Sequence, residues 1–153
     1  MTSTPIKTLL VNSISDCVKE VDGIKSCHID PERGLAGLAE NNSPPFVYIM
    51  NQSETSRKES EYRTADYTFD LCLFVKADSY KGAREQAIYL SALINKKILA
   101  RNSTARQYCQ QLEEETGNAF DIAYFEDNQC LCITHYHVKY KTAYGDQFTQ
   151  NPQ

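Results

Sequence analysis

The chain has 153 residues, of which 41% are hydrophobic and 24% are charged, and its formal net charge is −4 at pH 7. This composition is that of one globular domain, and the absence of any apolar run of ~18 residues excludes a membrane-spanning helix. The acidic balance, with Lys and Arg scattered along the chain, argues against a surface built to neutralise the phosphates of nucleic acid.

The first predicted element is an amphipathic helix. Ser3 or Thr4 is expected to cap it, with Pro5 in the first turn, where the N–H that proline lacks has no helical partner. Its apolar stripe, with spacings of three and four residues, ends before Gly23. The stripe consists of Ile6, Leu9, Leu10, Ile14, Cys17, Val18 and Val21.

A short strand and a loop are predicted next. Residues 24–29, I-K-S-C-H-I, alternate in polarity and predict an edge strand that ends at Asp30 and Pro31. Residues 31–45 contain Gly, Asn and Pro at several positions, so we expect a loop there with at most one helical turn.

Two strand-forming segments flank a polar stretch. The run F-V-Y-I-M at residues 46–50 predicts one strand, and the alternating residues 67–76 predict a second. The polar residues 51–63 between them predict the tip of a long hairpin that projects into solvent or towards a partner.

A second helix and a closing hairpin complete the prediction. Ser79 or Asp78 is expected to cap a helix of about five turns, whose buried stripe runs from Ala83 to Ile98. Residues 102–118 fit a strand or a helix, and we favour a strand and a loop with a solvated acidic run. Residues 119–125 and 130–140 predict the closing hairpin, and residues 141–153 predict an extended arm. This order predicts an α+β fold, a two-layer sandwich with a mostly antiparallel sheet and two helices packed on one face.

The segment C-L-C-I-T-H-Y-H at residues 130–137 contains four side chains of the types that bind zinc. Successive side chains of a strand point to opposite faces, so Cys130 and Cys132 share one face while His135 and His137 share the other. Only a bulge between Ile133 and His135 brings the four together. We therefore expect no metal site and no cofactor.

Catalytic chemistry is not expected either. The sequence contains no phosphate-binding glycine loop, nucleophile elbow or H-E-x-x-H motif. Without an apparent export signal, the six cysteines are expected to be reduced core residues, although Cys27 or Cys72 with His28 or His135 stays open as a nucleophile pair. Two sets of side chains are expected to have ordinary roles: the carboxylates Asp66, Asp70, Asp121 and Glu126 at the surface, and Tyr136, Tyr140 and Tyr144 in the core or an interface.

Several stretches resemble one family of structural proteins. They are P-F-V-Y-I at residues 45–49 with the polar excursion after it, V-K-A-D-S-Y and A-R-E-Q-A within residues 75–87, and V-K-Y-K-T at residues 138–142. In these, the chain resembles the tail terminator, or minor tail, proteins of long-tailed bacteriophages. The resemblance spans residues 5–146, mostly in pattern, and implies a single domain at residues 1–146 with a C-terminal extension at residues 147–153.

The resemblance implies a structural virion protein rather than an enzyme. Such proteins form a ring, usually a hexamer, that caps the tail tube and joins it to the head connector. The implied partners are other copies of the chain, the tail tube protein and the head-tail connector protein, with DNA passing through the bore without specific binding and no membrane. The implied location is the tail or neck of a virion assembled in the host bacterial cytoplasm. Another head-tail joining or neck protein, or a ligand-binding or catalytic α+β domain, remains an alternative.

The polar hairpin and the C-terminal arm are the expected contact regions. A long hairpin, an exposed arm and two-faced aromatic strands present more surface than a monomer of this size needs. A closed ring removes such surfaces. The candidate interface residues are Glu54, Arg57, Lys58, Glu59, Arg63, Tyr144 and Phe148.

Overall fold

The computed structural model of the protein describes residues 4–115 and 120–150. Within them the helices are α1 (Ile6–Lys19), α2 (Gly34–Asn41) and α3 (Tyr80–Leu99), and Thr104–Tyr108 form a 3-10 helix. The strands are β1 (Ser26–Ile29), β2 (Phe46–Glu59), β3 (Tyr62–Lys76), β4 (Gln111–Glu114), β5 (Phe120–Phe125), β6 (Gln129–Ala143) and β7 (Asp146–Gln150). The fold is α+β, as predicted. None of the helices in this part of the chain is both long and apolar enough to cross a membrane.

The two long helices begin differently. Ser79 caps α3 as predicted, because its Oγ accepts a hydrogen bond of 3.0 Å from the Gly82 N–H. The cap predicted for α1 is wrong at Thr4, since Pro5 occupies the cap position and no side chain bonds to the first turn. Ser3 lies outside the described residues.

Three long strands, β2, β3 and β6, form the centre of the sheet. The β2–β3 ladder runs from Phe46 opposite Phe74 to Glu59 opposite Tyr62, with one irregularity between Asn51 and Ser53. The predicted hairpin is confirmed, but its polar residues form strands almost to the end. Only residues 60–61 make the turn, where Ser60 has a positive φ of 57°. β6 pairs antiparallel with the whole of β3.

One face of the sheet carries the main core. Odd-numbered residues of β3 and even-numbered residues of β6 point to this face, because side chains alternate along a strand. They pack against α1 and α3, the two helices predicted from the sequence. The predicted stripe of α3 is buried at Ala83, Ala87, Leu90, Ile94 and Ile98.

A smaller core lies on the opposite face and includes a third helix. Leu38 of α2 packs with Phe46, Tyr48, Phe74 and Leu131. The loop predicted for residues 31–45 is therefore a helix over Gly34–Asn41, and one helix lies outside the predicted pair. A short helix gains most of its stability from tertiary packing, and the apolar end of the sheet supplies that packing.

Both edges of the sheet are formed by short strands. β1 is an edge strand, as predicted, and it pairs parallel with residues 46–49 of β2. Along the outer side of β6, β5 pairs with residues 129–134, β4 with residues 136–139 and β7 with Thr142 and Ala143. The predicted hairpin of β5 and β6 is confirmed. In residues 102–118 the strand was expected through Ala105, Gln107 and Cys109, but Thr104–Tyr108 form a 3-10 helix and the strand is β4, further along the chain. Residues 116–118 lie outside the described residues.

The C-terminal arm does not extend away from the domain. Residues 141–143 complete β6, and the chain turns at Gly145, whose φ of 81° suits glycine, before β7 pairs back onto β6. The arm prediction missed this turn because β7 pairs with a strand that is irregular at the point of contact. Residues 151–153 lie outside the described residues.

Candidate functional site

Strand parity separates the cysteines of β6 from its histidines, as predicted. Cys130 and Cys132 are buried in the main core. His135 and His137 point to the other face, which we call the open face: the surface of β2, β3, β5 and β6 opposite α1 and α3. Across residues 4–115 and 120–150, no group of three or more His, Cys, Asp or Glu side chains is placed to hold a metal ion.

Burial makes the thiols poor nucleophiles. Burial raises the pKa of Cys72 to about 12 and the pKa of Cys109 and Cys132 to about 11. Because only the thiolate attacks, these thiols are almost entirely unreactive at neutral pH. The alternative nucleophile pairs are also not assembled in the described part of the chain: His28 bonds to Ser26, and the bonds of His135 go to carboxylates.

The open face carries a row of histidines and carboxylates. His135 lies between two carboxylates: its Nδ1 contacts Asp70 of β3, and its Nε2 is 2.9 Å from Oδ2 of Asp121 on β5. The neighbouring His137 Nε2 is 3.1 Å from Oδ1 of Asp66. Asp66, Asp70 and Asp121 were expected as solvated surface groups. Asp121 is exposed as expected, whereas Asp66 and Asp70 are partly buried, and all three bond to histidines. Glu126 is exposed.

The carboxylates favour the charged form of His135. Partial burial alone lowers the pKa of His135, but its hydrogen bonds to Asp121 and Asp70 outweigh burial and raise the pKa above its ordinary value. An imidazolium donates from both ring nitrogens, whereas a neutral ring donates from one. Protonated His135 therefore connects β3 to β5 across β6.

Glu54 and Arg63, two of the candidate interface residues, form a hydrogen-bonded cluster with Tyr140. Arg63 Nη2 is 2.8 Å from Glu54 Oε2, and the Tyr140 hydroxyl donates to Glu54 Oε1 at 2.6 Å. Burial by itself raises the pKa of Glu54, but these hydrogen bonds and the charge of Lys7, 3.4 Å away, lower it. Glu54 and Arg63 thus link β2 to β3 in the half of the hairpin next to its turn.

The other candidate interface residues lie at the surface. Arg57 pairs with Glu59, and Lys58 Nζ lies 4.5 Å from the ring centroid of Tyr144. Tyr144 is 58% exposed, and Phe148 of β7 is 51% exposed. The structure therefore brings Lys58 and Tyr144 together at the end of the sheet and leaves their outer surfaces accessible.

An aromatic surface on β5 was missed from the sequence. Phe120, Tyr124 and Phe125 are all exposed, and the ring of Tyr124 meets that of Tyr80 edge to face at 6.1 Å. The run A-F-D-I-A-Y-F contained the signal, since it has one charge in seven residues. This run correctly predicted a strand, but it did not indicate that the strand lies at an edge of the sheet.

An open groove of about 810 Å³ separates the end of α1 from α3. Apolar side chains, including Val21, Leu90 and Leu93, line its floor. Lys97 and Glu20 form an ion pair of 2.8 Å at its rim. No sequence motif pointed to this groove.

No family model matches the chain, and no curated protein matches its sequence. Among solved structures, the chain is similar to a chain of a structure described as "Virion of native gene transfer agent (GTA) particle". The TM-score is 0.49 and the identity 8%, over 88% of this chain and 93% of that chain.

Proposed function

We propose that the protein is a structural component of a phage virion, which forms a ring that ends the tail tube and joins it to the head connector. The observation that carries this proposal is the β2–β3 hairpin, whose ladder is regular to Glu59 and Tyr62 while residues 55–58 are exposed. Ordering a polar strand costs conformational entropy, and residues 55–58 of β2 bury little surface in return within one chain. Contact with another chain supplies the missing stabilisation.

Exposed aromatic side chains support assembly from copies of the chain. Tyr124 and Phe125 on β5, and Tyr144 and Phe148 near the C-terminus, expose apolar surface at the rims of the sheet. A closed ring, a hexamer in this proposal, covers such rims between subunits. The net charge of −4 suits a bore through which DNA passes without binding. One face of the ring meets the tail tube protein, and the other meets the connector protein.

Electron microscopy and sedimentation of the purified protein, alone and with tail tube protein, test the proposal. We expect six-fold rings that bind the ends of tubes and stop their growth. A chain that stays monomeric in both samples contradicts the proposal. A ring that binds the connector but never the tube identifies another head-tail joining protein instead.

The histidine and carboxylate row favours one rival, a ligand-binding or catalytic α+β domain. His135 and His137 lie on the open face, beyond the part that α2 covers, with Asp66, Asp70 and Asp121 beside them. Metal analysis and zinc titration discriminate between the two functions. Stoichiometric zinc that is lost in His135→Ala supports the rival, and absence of binding in the wild-type protein removes its main support.

A further inference from the structure

β5 is an apolar edge strand without the usual protection. One side of it pairs with β6, and in the described ranges no strand pairs with the other side. Natural edge strands are blunted by charges, prolines or bulges that prevent pairing with other chains. The single charged residue of β5, Asp121, is bonded to His135, so its charge does not guard the edge.

The opposite edge of the sheet is also open. β1 covers only residues 46–49 of β2, and nothing in the described chain pairs with the outer side of β2 from Ser53 to Glu59. One side of the sheet thus ends in β1 and the free part of β2. The other side ends in β5 and β4.

The directions of the strands make these two edges compatible. β2, β3, β6 and β5 alternate in direction, since each neighbouring pair is antiparallel, and β1 runs parallel to β2. When a second copy is placed beside β5 in the same orientation, its strands β1 and β2 therefore run antiparallel to β5 and β4 of the first copy. A contact between two different edges repeats from copy to copy and closes into a ring when the rotation allows.

The two edges differ in charge: the β4–β5 edge is acidic, whereas the free part of β2 is balanced, with Glu54 and Glu59 against Arg57 and Lys58. From residue 107 to residue 138 the chain has no Lys or Arg, and it carries six carboxylates, at positions 113, 114, 115, 121, 126 and 127. On the other edge, Lys25 precedes β1 and Lys58 lies near the end of β2, and neither pairs with a carboxylate within the described residues. Pairing of β5 with β5 instead sets two acidic edges together, which like-charge repulsion disfavours.

We propose that the β4–β5 edge of one copy pairs with the β1–β2 edge of the next copy, so that the sheet continues from subunit to subunit. The inference rests on the proposed ring and names the surfaces that build it. It also extends the predicted contact region from the hairpin to β5 and β4, which the sequence did not indicate.

A charge exchange between the two edges tests the contact. The double variant Glu113→Lys with Glu114→Lys makes β4 basic, like Lys25 and Lys58 on the other edge. The double variant Lys25→Glu with Lys58→Glu makes the other edge acidic, like β4. We expect each variant alone to assemble at least about tenfold more weakly, because like charges across an interface disfavour association. An equimolar mixture restores rings, since alternating copies place opposite charges at every junction.

The outcomes separate this contact from the function. Wild-type rings together with unaffected double variants, or a mixture that fails to reassemble, overturn the edge contact alone. A wild-type chain that forms no ring, with or without tube protein, overturns the proposed function and this contact together. Circular dichroism confirms that each variant is folded.

A lysine on the apolar edge provides a second, independent test. Tyr124→Lys places a charge on the exposed side of β5, and Tyr89→Lys makes the same exchange on the outer surface of α3, where the tyrosine is 63% exposed. We expect at least about tenfold weaker assembly for Tyr124→Lys and no change for Tyr89→Lys. Equal behaviour of the two variants contradicts the contact.

Discussion

His135 shows how one side chain acquires a role from its neighbours in space. Its partners Asp70 and Asp121 are 65 and 14 residues away in the sequence, and they reach it from strands on either side of β6. Strand parity predicted the face to which the imidazole points, but the carboxylates became neighbours only through the register of β3 and β5. The imidazole of His135 therefore links β3 and β5 electrostatically.

The pH dependence of stability tests this link. The folded pKa of His135 is raised, so its contribution is fully present below the unfolded value of about 6.5 and is lost as pH rises through the folded value. We expect His135→Asn to cost about 1 kcal/mol at pH 5.5, after allowance for solvent screening, and less at pH 8.5. Urea unfolding at a series of pH values measures the difference.

A matched control is His28→Asn, because His28 bonds to Ser26 rather than to a carboxylate. Its difference from the wild type should change less with pH. If the cost of His135→Asn is constant from pH 5.5 to pH 8.5, Asp70 and Asp121 do not stabilise the protonated form of His135.

At the scale of the elements, α3 shows how helical periodicity is converted into packing. Ile94 is 1% exposed and faces the sheet, whereas Ile88 on the same helix is 41% exposed. The two residues have identical side chains and the same secondary structure, so the difference between them reports burial alone.

Truncation of these two isoleucines gives a direct measure of that burial. We expect Ile94→Ala to lower the free energy of unfolding by about 2–5 kcal/mol, because it removes core contacts and leaves a cavity. Ile88→Ala should cost less than about 1 kcal/mol. Denaturant unfolding measures both, and a similar cost at the two positions contradicts the assigned orientation of α3.

Three other elements were less predictable for a physical reason. α2 depends on the apolar end of the sheet, and β4 and β7 depend on the free side of β6, so none of the three is encoded by local periodicity. The β2–β3 hairpin is the converse case. Its polar residues resemble a loop in composition, yet the ladder to β3 holds them as strand to Glu59.

At the scale of the whole molecule, the reactivity of the cysteine thiols shows whether the core is intact. All six are free and buried, at positions spread from α1 to β6. We expect native protein at pH 8 to react with a thiol reagent far more slowly than unfolded protein, in which six thiols become available. Absorbance titration with and without denaturant measures this. A thiol that reacts at the rate of a free cysteine in the native protein supports a nucleophile and thus the catalytic rival.

The amino-acid sequence alone determined the α+β class, both long helices, the cap at Ser79, the long hairpin and the separation of thiols from imidazoles on β6. Each of these features depends on local periodicity or on the two-residue repeat of a strand. Both patterns are visible in residues that are close together in the sequence. The tertiary structure decided which carboxylates meet His135, that Glu54 and Arg63 bond to their own chain, and that β5 is an open edge. These depend on strand order and register, which bring together residues far apart in the chain and therefore leave no local signal.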